Sequence, residues 1–142
     1  MLVVNDLMSQ DVFTLRATQT LADVRDLMDA GHLRHVPIVD DEGNFVGLLS
    51  HRDLLHHTVS SLAGIPHREQ NDLDRRIPIA EVMTRHIVTA RPDMDLREAI
   101  TILLANKYGC LPVVVGSRLV GILTEADFLK LTLKLLTTSD GG

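Results

Sequence analysis

"VGLLSHRDLL", from Val46 to Leu55, returns in outline as "VGILTEADFL", from Val120 to Leu129. Both stretches open with Val-Gly, reach a hydroxyl residue (Ser50, Thr124), and place an aspartate three positions on (Asp53, Asp127) before a further apolar pair. An apolar run that ends in Ser/Thr-x-x-Asp reads as a strand feeding a helix, with hydroxyl and acid placed to satisfy the unpaired N–H groups of the first turn. The same arrangement can hold a ligand, because a helix N-terminus favours anions and a carboxylate accepts hydrogen bonds from a diol. Two features lean towards a ligand: that helix end, and Asp where a capping box favours the longer Glu or Gln, so that the short carboxylate is freer to accept hydrogen bonds from an external diol.

The likeness extends outward in both directions. At an offset of 75, Asp6–Asp40 aligns with Glu81–Val115: Met8 matches Met83, Thr14 Thr89, Arg16 Arg91, Leu21 Leu96, Pro37 Pro112 and Val39 Val114. The offset then falls to 74, because "DDEGN" is replaced by a shorter turn around Gly116 and Ser117, a change that a hairpin loop tolerates.

Each copy predicts the same order of elements. A short β run (Val12–Thr14, Ile87–Thr89) precedes a helix opened by Thr20 or Asp95, with Asp23 or Glu98 placed as in a capping box. Leu21, Val24, Leu27 and Met28 share one helical face, and Gly31 or Asn106 is expected to supply the left-handed stop. Two strands joined by a turn follow, then a second helix after the hydroxyl residue. The boundaries expected are 1–62 for the first repeat, 63–76 for a polar linker, 77–138 for the second repeat and 139–142 for a disordered tail. One copy of about 55 residues is a marginal domain, so the two are expected to pack face to face and share a core, with two related clefts.

Composition narrows the function. The 142 residues are 45% hydrophobic and only 3% aromatic, with a net charge of -5, which argues against nucleic acid as a partner. The single cysteine, Cys110, excludes an intramolecular disulfide and points to a reducing compartment; in "YGCLPVVV" it is expected to be a buried, inert thiol. No signal segment and no apolar run of membrane-spanning length is visible, so a cytoplasmic protein without membrane attachment is expected. The spacing of His51, His56, His57 and His67 does not suit a metal site, and no catalytic triad, Walker loop or dinucleotide fingerprint appears.

Each copy resembles a CBS motif, the regulatory motif of cystathionine β-synthase, and the tandem resembles a Bateman module. The resemblance runs from Val4 to about Leu62 and from Ile77 to about Leu136. It rests on Met8-Ser9 and Met83-Thr84, on the strands Val36–Val39 and Leu111–Val114 with Pro37 and Pro112, and on the turns Gly47–Asp53 and Gly121–Asp127. It implies an α/β fold of two β-α-β-β-α repeats packed with pseudo two-fold symmetry, with no catalysis of its own and no required cofactor. The implied regulatory ligand is an adenine nucleotide (AMP, ADP or ATP) or S-adenosylmethionine, bound between the repeats and signalled to an unknown protein partner.

Carried over residue by residue, the resemblance implies that Asp53 and Asp127 hold ribose and that Ser50 and Thr124 hold phosphate. The adenine would contact Val12, Phe13 and Thr14 with Leu33, Arg34, His35, Val36 and Pro37 in one cleft. In the other it would contact Ile87, Val88 and Thr89 with Tyr108, Gly109, Cys110, Leu111 and Pro112. Arg34, His35, His51 and Arg52 become Gly109, Cys110, Glu125 and Ala126, so the Ser50/Asp53 cleft is expected to suit a multiply charged nucleotide better. The Thr124/Asp127 cleft is expected to be weak or to draw cations from the other copy. The final helix, with Phe128, Leu129, Leu131, Leu133, Leu135 and Leu136, has more apolar residues than one face needs, and Leu54, Leu55, Val59 and Leu62 extend the first copy similarly. A homodimer is expected; the alternative is a constitutive dimeric interaction module with vestigial clefts.

Overall fold

The structure, a computed structural model, describes residues 2–57, 67–106 and 109–141. Val59, Leu62 and Tyr108 lie outside the described residues. In chain order the elements are α1 (Val4–Leu7), β1 (Leu15–Arg16), α2 (Leu21–Gly31), β2 (His35–Val39), β3 (Phe45–Ser50), α3 (His51–His56) and α4 (His67–Asp74). A 3-10 turn (Ile79–Glu81), α5 (Leu96–Ala105), β4 (Cys110–Val115), β5 (Arg118–Thr124) and α6 (Glu125–Gly141) complete it.

These elements form two compact units that do not coincide with the two sequence copies. Unit I is Phe13–Ile87; unit II joins Met1–Val12 to Val88–Gly142. The segment opening each copy therefore folds with the body of the other. Val4 N donates to Met94 O at 2.8 Å in unit II, and Ile79 N to Gln19 O at 2.8 Å in unit I, at corresponding positions.

In unit I, β2 lies between parallel β1 and antiparallel β3. In unit II, β4 and β5 form the antiparallel pair and a single parallel bridge, Ala90 to Val113, takes the place of β1. The β run expected at Val12–Thr14 thus pairs later, at Leu15–Arg16, and that expected at Ile87–Thr89 is reduced to the bridge at Ala90. These are the positions whose backbone groups reach the edge of β2 or β4.

The outer edges of β3 and β5 are covered in the same way. Leu48 N and Thr84 N each donate to the other's carbonyl at 2.9 Å, and Ser9 N and Ile122 N donate to Ile122 O and Ser9 O at 2.9 and 3.0 Å. With their backbone groups turned outward, Leu48 and Ile122 ask nothing of the residues opposite them, Pro37 and Pro112. A proline inside each pair is tolerated for that reason.

The same contact explains the two glycines. A Cβ on Gly47 would lie 2.6 Å from Met83 Sδ; one on Gly121 would lie 2.7 Å from Met8 Sδ and 2.9 Å from the Ser9 carbonyl oxygen.

Each unit has its own core at matched positions: Leu21, Val24, Met28, Val36, Ile38, Leu49 and Ile79 in unit I, with Leu96, Ala99, Leu103, Leu111, Val113, Leu123 and Val4 in unit II. Leu54 in one and Phe128 in the other pack against these clusters from the helix after the hydroxyl residue.

Four local expectations change. The left-handed residue after α2 is His32 (φ 52°), one past Gly31, and Asn106 is extended (φ -105°), since the next turn is made further on at Gly109 (φ 73°). Asp95 caps α5 through Arg97 N at 2.8 Å rather than through a box with Glu98, and its other oxygen accepts from the Arg97 side chain at 3.1 Å. The polar segment before the second copy carries α4, whose Asp74 is fully buried and receives Arg25 Nε at 2.5 Å and Gln70 Nε2 at 2.8 Å. A buried carboxylate needs such partners. Finally, α6 continues to Gly141, through most of the stretch expected to be a disordered tail.

Replacing Gly121 by Ala is expected to destabilise the protein by about 1–3 kcal/mol, the usual cost of overpacking. Gly47→Ala should cost less, because its closest obstacle is the flexible Met83 side chain and the Thr84 carbonyl stands off at 3.3 Å, whereas at Gly121 the Ser9 carbonyl is at 2.9 Å. Urea unfolding followed by circular dichroism compares the two.

Candidate functional site

Each Ser/Thr-x-x-Asp turn is positioned by a strand pair and the helix that leaves it. In unit I, β2 sets His35 opposite Ser50, and His51 N donates to Arg34 O at 2.7 Å, tying the start of α3 to the residue before β2. In unit II, Cys110 stands opposite Thr124, and Glu125 N donates to Gly109 O at 3.3 Å.

Both aspartates accept the N–H of their own cap residue, as the capping reading expects, and at Ser50/Asp53 the box is closed in both directions. Ser50 N donates to Asp53 Oδ2 at 2.9 Å and Asp53 N to Ser50 Oγ at 3.1 Å. Thr124 N donates to Asp127 Oδ2 at 2.9 Å, and its hydroxyl to the same oxygen at 3.2 Å. Only one oxygen is used: Oδ1 of Asp53 and of Asp127 makes no hydrogen bond among the described residues. All four side chains are half-buried, open to one side.

The remaining candidate residues separate into two groups. Val36 and Leu111 are fully buried in the cores of their units, and Pro37, Pro112 and Cys110 are buried as well, so a ligand could reach these positions chiefly through their backbone. Phe13 and Val88, at matched positions, are instead 60% and 51% exposed, and beside them Thr14 and Thr89 have hydroxyls with no hydrogen bond among the described residues. The chain passes from one unit to the other at Val12/Phe13 and again at Ile87/Val88. Arg34 and Arg52 are exposed, and His35 and His51 half-buried.

Burial, reinforced by the nearby Glu125 carboxylate, pushes the Cys110 thiol up to about 12. That removes it as a nucleophile at neutral pH. No three His, Cys, Asp or Glu side chains gather as metal ligands among the described residues, and no helix there is long and apolar enough to cross a membrane.

The sequence reading missed what supports the turns: the Met8-Ser9 and Met83-Thr84 segments on the strands that end in Thr124 and Ser50. The recurrence of Met-Ser/Thr together with Val-Gly was the available signal, but the pattern did not say which copy each Met covers.

Comparison with known proteins agrees with this geometry. The sequence profile of the CBS domain matches residues 4–60 and 79–134. An acetoin utilization protein (AcuB) from Vibrio cholerae has a crystal structure 37% identical, with TM-score 0.82, covering 100% of this chain and 98% of that one. The CBS domain pair of protein MJ0100, solved with 5'-methylthioadenosine and S-adenosyl-L-methionine, is 25% identical with TM-score 0.75, covering 93% of this chain and 96% of that one. Inosine-5'-monophosphate dehydrogenase of Mycobacterium tuberculosis is 33% identical over 94% of this chain, which spans only 23% of the enzyme's length.

The Cys110 thiol is expected to resist iodoacetamide in the folded protein at pH 8 and to react fully once urea exposes it. Mass spectrometry of the alkylated chain reads the difference. Because the unfolded thiol ionises near its usual value and the folded one does not, its effect on stability is absent below that value and becomes destabilising as pH rises above it.

Proposed function

The chain belongs to the CBS domain family, and we propose that it is a non-catalytic regulatory module that binds adenosyl ligands at its two Ser/Thr-x-x-Asp turns and signals their presence to a partner. One observation carries this reading: in each turn one aspartate oxygen is spent on the helix cap while the other makes no hydrogen bond among the described residues, on a half-buried side chain. A vicinal diol such as ribose presents two hydroxyl donors, the complement of a carboxylate oxygen with open lone pairs. The exposed Phe13 and Val88 give an apolar surface for a base, and the Thr14 and Thr89 hydroxyls give polar groups beside it. The adenosyl compounds bound to the MJ0100 pair support the ligand class. The dehydrogenase activity of the mycobacterial relative is not carried over, since the match is confined to 23% of that protein.

The effect on a partner would be linkage: a ligand can bias the module only by binding one of its conformations more tightly than another. Homodimerisation belongs to the same reading. Beyond Phe128, helix α6 leaves Leu129, Leu133, Leu135 and Leu136 between 60% and 70% exposed, and Leu129, Leu133 and Leu136 fall on one face. A second copy of the chain is the proposed cover for that stripe.

A thermal-shift screen of AMP, ADP, ATP, S-adenosylmethionine and NAD tests the binding: ligand at 100 times its dissociation constant adds about 2.7 kcal/mol of apparent stability. Asp53→Asn and Asp127→Asn keep an acceptor for the cap but replace the second oxygen by a donor. The pair of changes together is expected to abolish the shift; an undiminished shift would remove the aspartates from the site. Light scattering should give a dimer mass for the parent and a monomer for Leu129→Glu/Leu133→Glu.

A further inference from the structure

The two turns share a backbone frame and differ in what it carries. His35 and Cys110 occupy the same register against Ser50 and Thr124, and His51 and Glu125 make the same backbone hydrogen bond to the residue before the preceding strand. On that frame unit I places Arg34, His35, His51 and Arg52. Unit II places Gly109, Cys110, Glu125 and Ala126. The first set offers two permanent cations and two imidazoles; the second offers one carboxylate and no cation. Lys130, further into α6, adds a cation where unit I has His56, which offsets Glu125 and still leaves unit II without the surplus positive charge that Arg34 and Arg52 give unit I. The carboxylate field of Glu125 is felt inside its turn, where it adds to the burial that keeps the Cys110 thiol protonated.

Phosphate gains from Arg and protonated His and is repelled by a carboxylate; Arg34, Arg52 and Glu125 are exposed at their turns, and His35 and His51 half-buried. Resting on the reading that both turns hold adenosyl ligands, we propose that they sort those ligands by charge. The Ser50/Asp53 turn takes a nucleoside polyphosphate, and the Thr124/Asp127 turn takes an adenosyl compound without phosphate, neutral or cationic. The second turn is then not a weaker copy of the first but a site of opposite selectivity, and the module reads two metabolite pools at once.

Calorimetric titration of the full chain in divalent-free buffer, with ATP and with 5'-methylthioadenosine as probes, tests this. Asp127→Asn leaves the unit I turn and should bind ATP at least about tenfold more tightly than the thioether; Asp53→Asn leaves the unit II turn and should reverse that order. Glu125→His/Ala126→Arg leaves Thr124 and Asp127 in place and should raise ATP affinity at the unit II turn by about tenfold or more. The same ATP-to-thioether preference at both turns, or no response to the charge change, overturns the proposal while leaving adenosyl binding in place. Failure of both probes to bind the parent chain overturns adenosyl binding itself, and the sorting with it.

Discussion

A methionine lying over a glycine closes each unit. Met83 sits on Gly47 and Met8 on Gly121, so close that neither glycine could carry a side chain without movement, and the next residue, Thr84 or Ser9, pairs with the strand through two backbone hydrogen bonds. Much of the rest depends on this contact. It covers the open edge of β3 or β5, which would otherwise present unpaired backbone groups. It turns Leu48 and Ile122 outward, which lets prolines stand opposite them in β2 and β4. It also steadies the strand whose last residue, Ser50 or Thr124, starts the Ser/Thr-x-x-Asp turn.

At that turn, capping and ligand binding are not competing explanations. A carboxylate has two oxygens and about four lone-pair positions, and a helix start engages only part of them. Oδ2 of Asp53 and of Asp127 holds the backbone, which fixes the direction of Oδ1. A group already immobilised by the fold loses less entropy when a ligand docks on it. The cap therefore holds the proposed ligand contact in place as well as stabilising the helix.

Around this shared frame the units diverge. Unit I gathers cations at its turn and packs α4 onto α2 through the Arg25–Asp74 pair, which has no counterpart in unit II because position 100 is Ile. Unit II places a carboxylate at its turn and extends α6 into a helix of 17 residues with an apolar stripe turned to solvent. Duplication preserved the core positions, where packing density leaves little choice, and released the side chains at the rim.

Repeats, strand and helix order, most core positions and the two Ser/Thr-x-x-Asp turns were legible in the sequence, because hydrophobic period and capping chemistry are local and recur at a fixed offset. The α2 stop at His32 and the helix α4 in a polar stretch were not. Each depends on a contact or backbone bend that residue type alone does not specify. The pairing of each Met-Ser/Thr segment with the body of the opposite copy is the clearest case. Two nearly identical segments fit two nearly identical strands in either combination, so local pattern cannot rank them. Only the path of the whole chain, which brings Met8 to Gly121 and Met83 to Gly47, decides between them.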